Sequence, residues 1–325
     1  MTALVTGCNG QDGSYLIELL LSKGYIVHGT TRRTSQPGYN NILHILDKIT
    51  LHPADMTDSG SLHNAIELCQ PDEIYNLAGM SQVRWSYDVP SMTMDVNCLG
   101  LLRIIESVRS LKLDCKIYQA CSSEMFGKVQ ETPQKETTPF YPRSPYGVSK
   151  AAAYYMARTY RESYGMKIYC GFLFNHESER RGEEFLSRKV CKAVAEIKYG
   201  LRKKLTLGNL DACRDFGYAK EYVEWIWRIM QHDKPDDFII ATGETHSVKE
   251  FVQLAFEHAG LNFEDYVEYD KSLTRPAEVD LLMGDSSKSE RILGFTPKVK
   301  FKELVKIMVE HELLKIQKDD RLTNY

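Results

Sequence analysis

Between residues 3 and 174 short apolar runs alternate with amphipathic stretches, and few folds accept such an alternation. The runs 3–6, 26–30, 49–53, 73–77, 116–121 and 167–174 read as strands. Stretches 13–23, 59–69, 90–111 and 144–164 lie between most of them and repeat their apolar residues at helical spacing. Strands joined through helices need right-handed crossovers, which generate a parallel, doubly wound α/β sheet. The run 168–174 is apolar almost without interruption, as expected of a strand covered on both faces. After Asn175 the rhythm loosens. A charged segment at 177–184 precedes a helix, a short strand is expected at 205–207, and 238–242 reads as a strand returning to the main sheet. A last helix, 302–316, carries Leu304, Val305, Ile307, Met308, Leu313 and Leu314, a face that must pack somewhere.

Composition narrows the functional classes. The 325 residues can bury a core without disulfides or metals. The eight cysteines are scattered, with no Cys-x-x-Cys pair, and read as reduced small hydrophobes. The chain enters its first strand at once, with no basic and apolar leader, so the expected location is cytoplasmic. It has no apolar stretch of the roughly eighteen residues that a membrane span needs. A net charge of −3 argues against nucleic acid as the main partner. No His or Cys pattern suggests a metal.

Gly7-Cys8-Asn9-Gly10-Gln11-Asp12-Gly13 follows the first strand and opens the first helix. Glycines there permit a tight turn and close backbone approach, with the helix N-terminus facing a pyrophosphate. This is the setting of a Rossmann-like dinucleotide site. An NAD site usually ends its second strand in an acid that bonds the ribose. Here the strand ends in Thr30-Thr31-Arg32-Arg33, and two arginines suit the 2′-phosphate of NADP. Asp55 could contact the adenine or merely cap a helix. Leu77-Ala78-Gly79 ends the fourth strand with residues that let backbone lie close to a cofactor.

Tyr146 and Lys150 lie four apart, on one helical face. A free tyrosine, with a pKa near ~10, is a poor base at neutral pH. A nearby ammonium and an oxidised nicotinamide ring would favour its phenolate. About twenty residues earlier a strand ends in Ser122-Ser123-Glu124, where a serine can hold a sugar hydroxyl near the tyrosine.

With these pieces the chain resembles the extended short-chain dehydrogenase/reductase family. Glu124 after the serines is similar to the nucleotide-sugar 4,6-dehydratases of that family. Leu173-Phe174-Asn175-His176-Glu177-Ser178, Arg180-Arg181-Gly182, Arg214-Asp215-Phe216-Gly217-Tyr218-Ala219-Lys220 and Arg275-Pro276-Ala277-Glu278-Val279-Asp280 resemble its GDP-mannose 4,6-dehydratases. The resemblance spans residues 1–316 and implies bound NADP and GDP-mannose. It assigns catalysis to Ser122, Glu124, Tyr146 and Lys150. Beside the cofactor it sets Gly7, Asn9, Gly10, Gln11, Asp12, Gly13, Arg32, Arg33, Asp55, Met56, Leu77, Ala78, Gly79, His176 and Arg181, with Tyr146 and Lys150. From the residue alone His176 reads as a positioned histidine. Substrate contacts are expected from Ser81, Ser122, Glu124, Asn175, Lys189, Arg214, Arg275 and Glu278, the last as a guanine reader.

The expected layout is an NADP-binding Rossmann domain, 1–175 with a returning segment at about 215–245. A smaller interleaved nucleotide-sugar domain takes 176–214 and 246–325. A homodimer through 90–111 and 144–164, or a tetramer through the 32–41 loop, is implied by the same resemblance. Two residues depart from the family pattern: Ser122 stands for a threonine, and Glu179 for a proline. An epimerase or 4-keto reductase on the same fold is the alternative, and the three tryptophans read as packing.

Overall fold

The computed structural model describes residues 1–35, 38–273 and 277–323. Its elements in chain order are β1 (Thr2–Thr6), α1 (Gln11–Ser22), β2 (Ile26–Thr31), β3 (Thr50–Pro53), α2 (Ser59–Cys69), β4 (Glu73–Asn76), α3 (Val83–Asp88), α4 (Pro90–Met94), α5 (Gly100–Ser110), β5 (Lys116–Ser122) and α6 (Pro145–Tyr164). There follow β6 (Ile168–Leu173), β7 (Asn175–Glu177), α7 (Leu186–Lys198), β8 (Leu205–Leu207), β9 (Cys213–Arg214), β10 (Phe216–Tyr218), α8 (Ala219–Gln231) and β11 (Asp237–Ile240). The last are β12 (His246–Ser247), α9 (Val248–His258), β13 (Val267–Tyr269), α10 (Ser287–Leu293) and α11 (Phe301–Thr323).

Seven parallel strands form the main sheet in the order β11-β6-β5-β4-β1-β2-β3. The chain winds one way from β1 to β3, then returns to the far side of β1 at β4. That reversal opens a crevice at the carboxyl ends of β1 and β4, the usual ligand position in such sheets. One apolar core, with Leu62, Ile104, Ile105 and Ala153, lies under α2, α5 and α6. The opposite core, with Leu16, Leu20, Trp225 and Ile229, lies under α1 and α8. A third is built from α7, α9 and α11 around Val194, Phe251, Phe256 and Leu304.

Several readings need correction. Stretch 90–111 is not one α-helix: Asp95–Leu99 form a π-helical turn between α4 and α5. There the buried Asn97 bonds Met80 N at 2.9 Å, Met80 O at 3.1 Å and Ser149 Oγ at 2.9 Å. Those tertiary bonds, invisible in the periodicity, favour the wider turn. Just before the charged segment 177–184, and including Glu177, the unexpected strand β7 pairs with β10. The last helix starts at Phe301 and runs to Thr323. Trp225 is fully buried and Trp227 packs under Lys23, but Trp85 is 52% exposed.

Candidate active site

The crevice at the strand ends is a cavity of about 790 Å³. Its floor is fixed by polar residues that close the apolar strands. Thr6 Oγ1 donates to Asn76 Oδ1 at 2.8 Å and accepts from Leu77 N and Ala78 N at 3.1 and 3.0 Å. Asn76 Nδ2 in turn donates to Gln119 Oε1 at 2.7 Å, so the ends of β1, β4 and β5 are tied together. This row was not singled out from the sequence. Its signal was available, since polar residues in otherwise apolar runs need buried partners.

The glycine turn fits a dinucleotide on structural grounds. A Cβ at Gly13 would lie 2.3 Å from Gly7 O, and one at Gly7 2.9 Å from Ala78 N, so only bare backbone closes this turn. Gly7 has φ +66°, which suits glycine. Gly10 caps α1 with no side-chain hydrogen bond, which leaves the first-turn N–H groups available as anion donors.

Across the cavity, the end of β5 delivers Ser122 and the 3-10 turn Ser123–Met125 after it delivers Glu124, both buried, while α6 delivers Tyr146 and Lys150. Ser144 caps α6 by accepting from Gly147 N at 3.0 Å, and Pro145 occupies the first turn. Gly147 lets the helix close on the strand: a Cβ there would sit 2.6 Å from Glu124 O. Tyr146 is thereby held beside Glu124. Ser122 Oγ accepts from Glu124 N at 3.2 Å and hydrogen-bonds the Tyr146 phenol, so the hydroxyl that stands for a threonine keeps a partner.

The protein's own groups do not lower the Tyr146 phenol. Burial pushes it up to about 12 and the Glu124 charge adds to the rise, while the Ser122 hydrogen bond and the Arg181 charge pull it back. Lys150 Nζ donates to Ala120 O at 2.8 Å and stands 5.9 Å from the Tyr146 ring centre. Burial, the largest influence on Lys150, holds its own pKa below the usual lysine value.

The cavity brings together Gly7, Asn9, Gly10, Gln11, Asp12, Gly13, Arg32, Asp55, Met56, Leu77, Ala78, Gly79, His176 and Arg181 on its dinucleotide side. Ser81, Asn175 and Lys189 also line it. The buried Asn175 Oδ1 has no hydrogen-bond partner among the described residues. Lys189 Nζ donates to Thr206 O at 3.2 Å. Arg33 does not line the cavity. Nor do Arg214 and Glu278: Arg214 is buried on β9 and donates to Cys213 O at 2.9 Å. Arg275 lies outside the described residues.

Gln82, Arg84, Phe185 and Leu207 also line the cavity and were missed, having ordinary surface or core types with no motif around them. Glu179 does not leave its loop loose. Its carbonyl accepts from Arg188 Nη1, and neighbouring Arg180 donates to Ser14 Oγ at 3.1 Å and pairs with Glu18 at 2.5 Å. Among the described residues no group of three His, Cys, Asp or Glu could hold a metal, and no helix is long and apolar enough to cross a membrane.

Comparison with known proteins follows the same lines. Residues 4–308 match the family model described as GDP-mannose 4,6 dehydratase. GDP-mannose 4,6 dehydratase 2 of Arabidopsis thaliana is 51% identical over 323 residues, 96% of this chain and 86% of that protein. The human GDP-mannose 4,6 dehydratase is 46% identical, over 96% of this chain and 91% of its own length. The Vibrio cholerae GDP-mannose 4,6-dehydratase is 44% identical, over 98% and 97%. In fold, the chain is similar to the Bacillus anthracis dTDP-glucose 4,6-dehydratase solved with NAD. The TM-score is 0.84 at 21% identity, covering 99% of this chain and 98% of that one.

Proposed function

The chain belongs to the GDP-mannose 4,6-dehydratase family, and from that premise we propose that it converts GDP-mannose to GDP-4-keto-6-deoxymannose with bound NADP. The conversion oxidises C4, removes water across C5 and C6, and reduces C6, so no NADP is consumed overall. The observation that carries this reading is Glu124: a buried carboxylate on the same cavity as Tyr146, Lys150 and the glycine turn. An epimerase or 4-keto reductase on this fold needs no base at C5.

Bound NADP⁺ supplies the hydride acceptor at C4, and its positive ring offsets the burial that holds the Tyr146 phenol high. Tyr146 takes the proton of the C4 hydroxyl, with Ser122 holding that oxygen in line. The resulting ketone acidifies C5–H, and Glu124 removes that proton. Glu124 then hands that proton to the departing C6 hydroxyl, with Ser122 aiding its delivery, and hydride from the reduced cofactor would return to C6 as a proton returns to C5. Lys150 braces Tyr146 and contacts the nicotinamide ribose.

Arg32, the cation lining the cavity at the end of β2, supports the choice of NADP. In the division we favour, residues 1–175 and about 215–245 hold the dinucleotide, and 176–214 with 246–325 hold the nucleotide sugar. Free thiols throughout support a cytoplasmic setting. Trp85, Met92, Leu99, Val148 and Tyr155 are exposed on α3 to α6. Such a patch suits a homodimer across these helices, a state light scattering reads directly. The activity is tested by incubating the chain with GDP-mannose and NADP⁺ and weighing the product. A product lighter by one water supports the reading, and a mass left unchanged supports the epimerase instead.

A further inference from the structure

His176 faces two acceptors. Its Nδ1 lies 2.7 Å from Phe174 O and its Nε2 2.8 Å from Asp12 Oδ2. A carbonyl and a carboxylate can only accept, so both ring nitrogens must carry protons for both contacts to be hydrogen bonds. The ring is fixed in that pose by stacking on Tyr222, at 4.8 Å between centres and 21° between planes. Around the partner carboxylate, Gln11 Nε2 donates to Asp12 Oδ1 at 3.1 Å and to His176 O at 3.1 Å, while Ser178 Oγ donates to Gln11 Oε1 at 2.8 Å. The first turn of α1 is thus stapled to β7 and the loop beyond it.

Asp12 is oddly placed for a residue of a pyrophosphate turn. It lines the cavity within the first turn of α1, where a bare carboxylate would repel an anionic ligand. We propose that His176 is held as an imidazolium whose role is to neutralise Asp12, so that the glycine turn can accept a dinucleotide pyrophosphate. His176 is then a positioning residue, acting on the ligand through Asp12. This role rests on the dinucleotide reading of the cavity.

The surrounding charges agree with the pose. Burial works against the charged form of both groups. The Asp12 carboxylate nonetheless holds His176 above the usual imidazole value, and His176 and Arg181 hold Asp12 below the usual carboxylate value. Arg181, on the loop after β7, opposes the charge on His176 but stabilises that on Asp12. From α8 the facing group is the Tyr222 phenol, near which lie Glu177 and Asp215, and from α6 Lys150 senses Asp12. As pH rises through the elevated value of His176, the proton leaves and Asp12 faces the ligand unneutralised. Pyrophosphate affinity therefore falls on the alkaline side.

The test uses the full-length chain, nitrogen-15 histidine spectra, and calorimetry with ADP-ribose, which has the pyrophosphate but no 2′-phosphate to titrate. In the wild type both ring nitrogens of His176 should be protonated at neutral pH. ADP-ribose affinity should fall as the pH is raised from neutral into the alkaline range. His176→Gln should bind ADP-ribose about tenfold more weakly, with little pH dependence. The double variant Asp12→Asn/His176→Gln should recover most of the loss, because the repelling charge is gone. A singly protonated His176 at neutral pH, or a double variant no better than His176→Gln, overturns the proposal. No ADP-ribose binding by the wild type overturns the dinucleotide reading, and this role with it.

Discussion

Arg32 and Arg33 are neighbours in sequence, yet only Arg32 lines the cavity. Arg32→Ala should therefore weaken NADP⁺ far more than NAD⁺, by about 1.5–3 kcal/mol for a lost charge-assisted bond. Arg33→Ala should leave the ratio nearly unchanged, and titrations with both cofactors read the difference. Tyr146→Phe keeps the buried ring and removes the base, so NADPH formation in a single turnover should fall by about 10²–10⁴. In the wild type that rate should rise with pH, because burial holds the phenol protonated and only the phenolate accepts the C4 proton. A flat profile with full activity in the phenylalanine variant would remove Tyr146 from the role. Such residues were legible because their chemistry demands a residue type at a spacing: phenol and ammonium four positions apart, and glycines where no Cβ fits. Phe185 and Leu207 were not, since an apolar cavity wall uses the same residues as any core.

At the scale of elements, apolar runs located β1 to β6 to within a residue or two, most plainly β1, β4, β5 and β6, which are buried on both faces. It failed at Asp95–Leu99, where a π turn is held by side-chain bonds from Asn97 to Met80 and Ser149. Asn97→Ala leaves those groups without their partner and should cost about 1–3 kcal/mol, read as a lowered unfolding midpoint. The tie between α1 and β7 was equally hidden, since Asp12 and His176 lie far apart in sequence. Its stability contribution has two edges. His176, raised in the fold, contributes below the usual imidazole value, and that contribution is lost as pH rises through the elevated one. Asp12, depressed in the fold, contributes above the usual carboxylate value and fades as pH falls through its lowered one. His176→Gln should thus be less stable than wild type by about 1–3 kcal/mol near neutral pH. The gap should narrow in alkaline denaturant titrations, and a gap independent of pH would contradict the ion pair.

Across the whole molecule, the strand order turns at β1 and β4, and Ser122, Glu124, Tyr146 and Lys150 line the same cavity as the glycine turn at that reversal. The alternating sequence was enough to expect the sheet. It could not give the third core of α7, α9 and α11, whose helices lie far apart in the chain and meet only in space. The proposed reaction is a closed redox cycle on one sugar: hydride leaves C4 and returns to C6 of the same molecule, with water lost between. GDP-mannose deuterated at C4 tests it most directly. Incubated with the chain and unlabelled NADP⁺, it should give a product lighter by one water that carries the deuterium at C6. Deuterium still at C4, on a product of unchanged mass, would contradict the dehydratase cycle and leave an epimerase on the same fold.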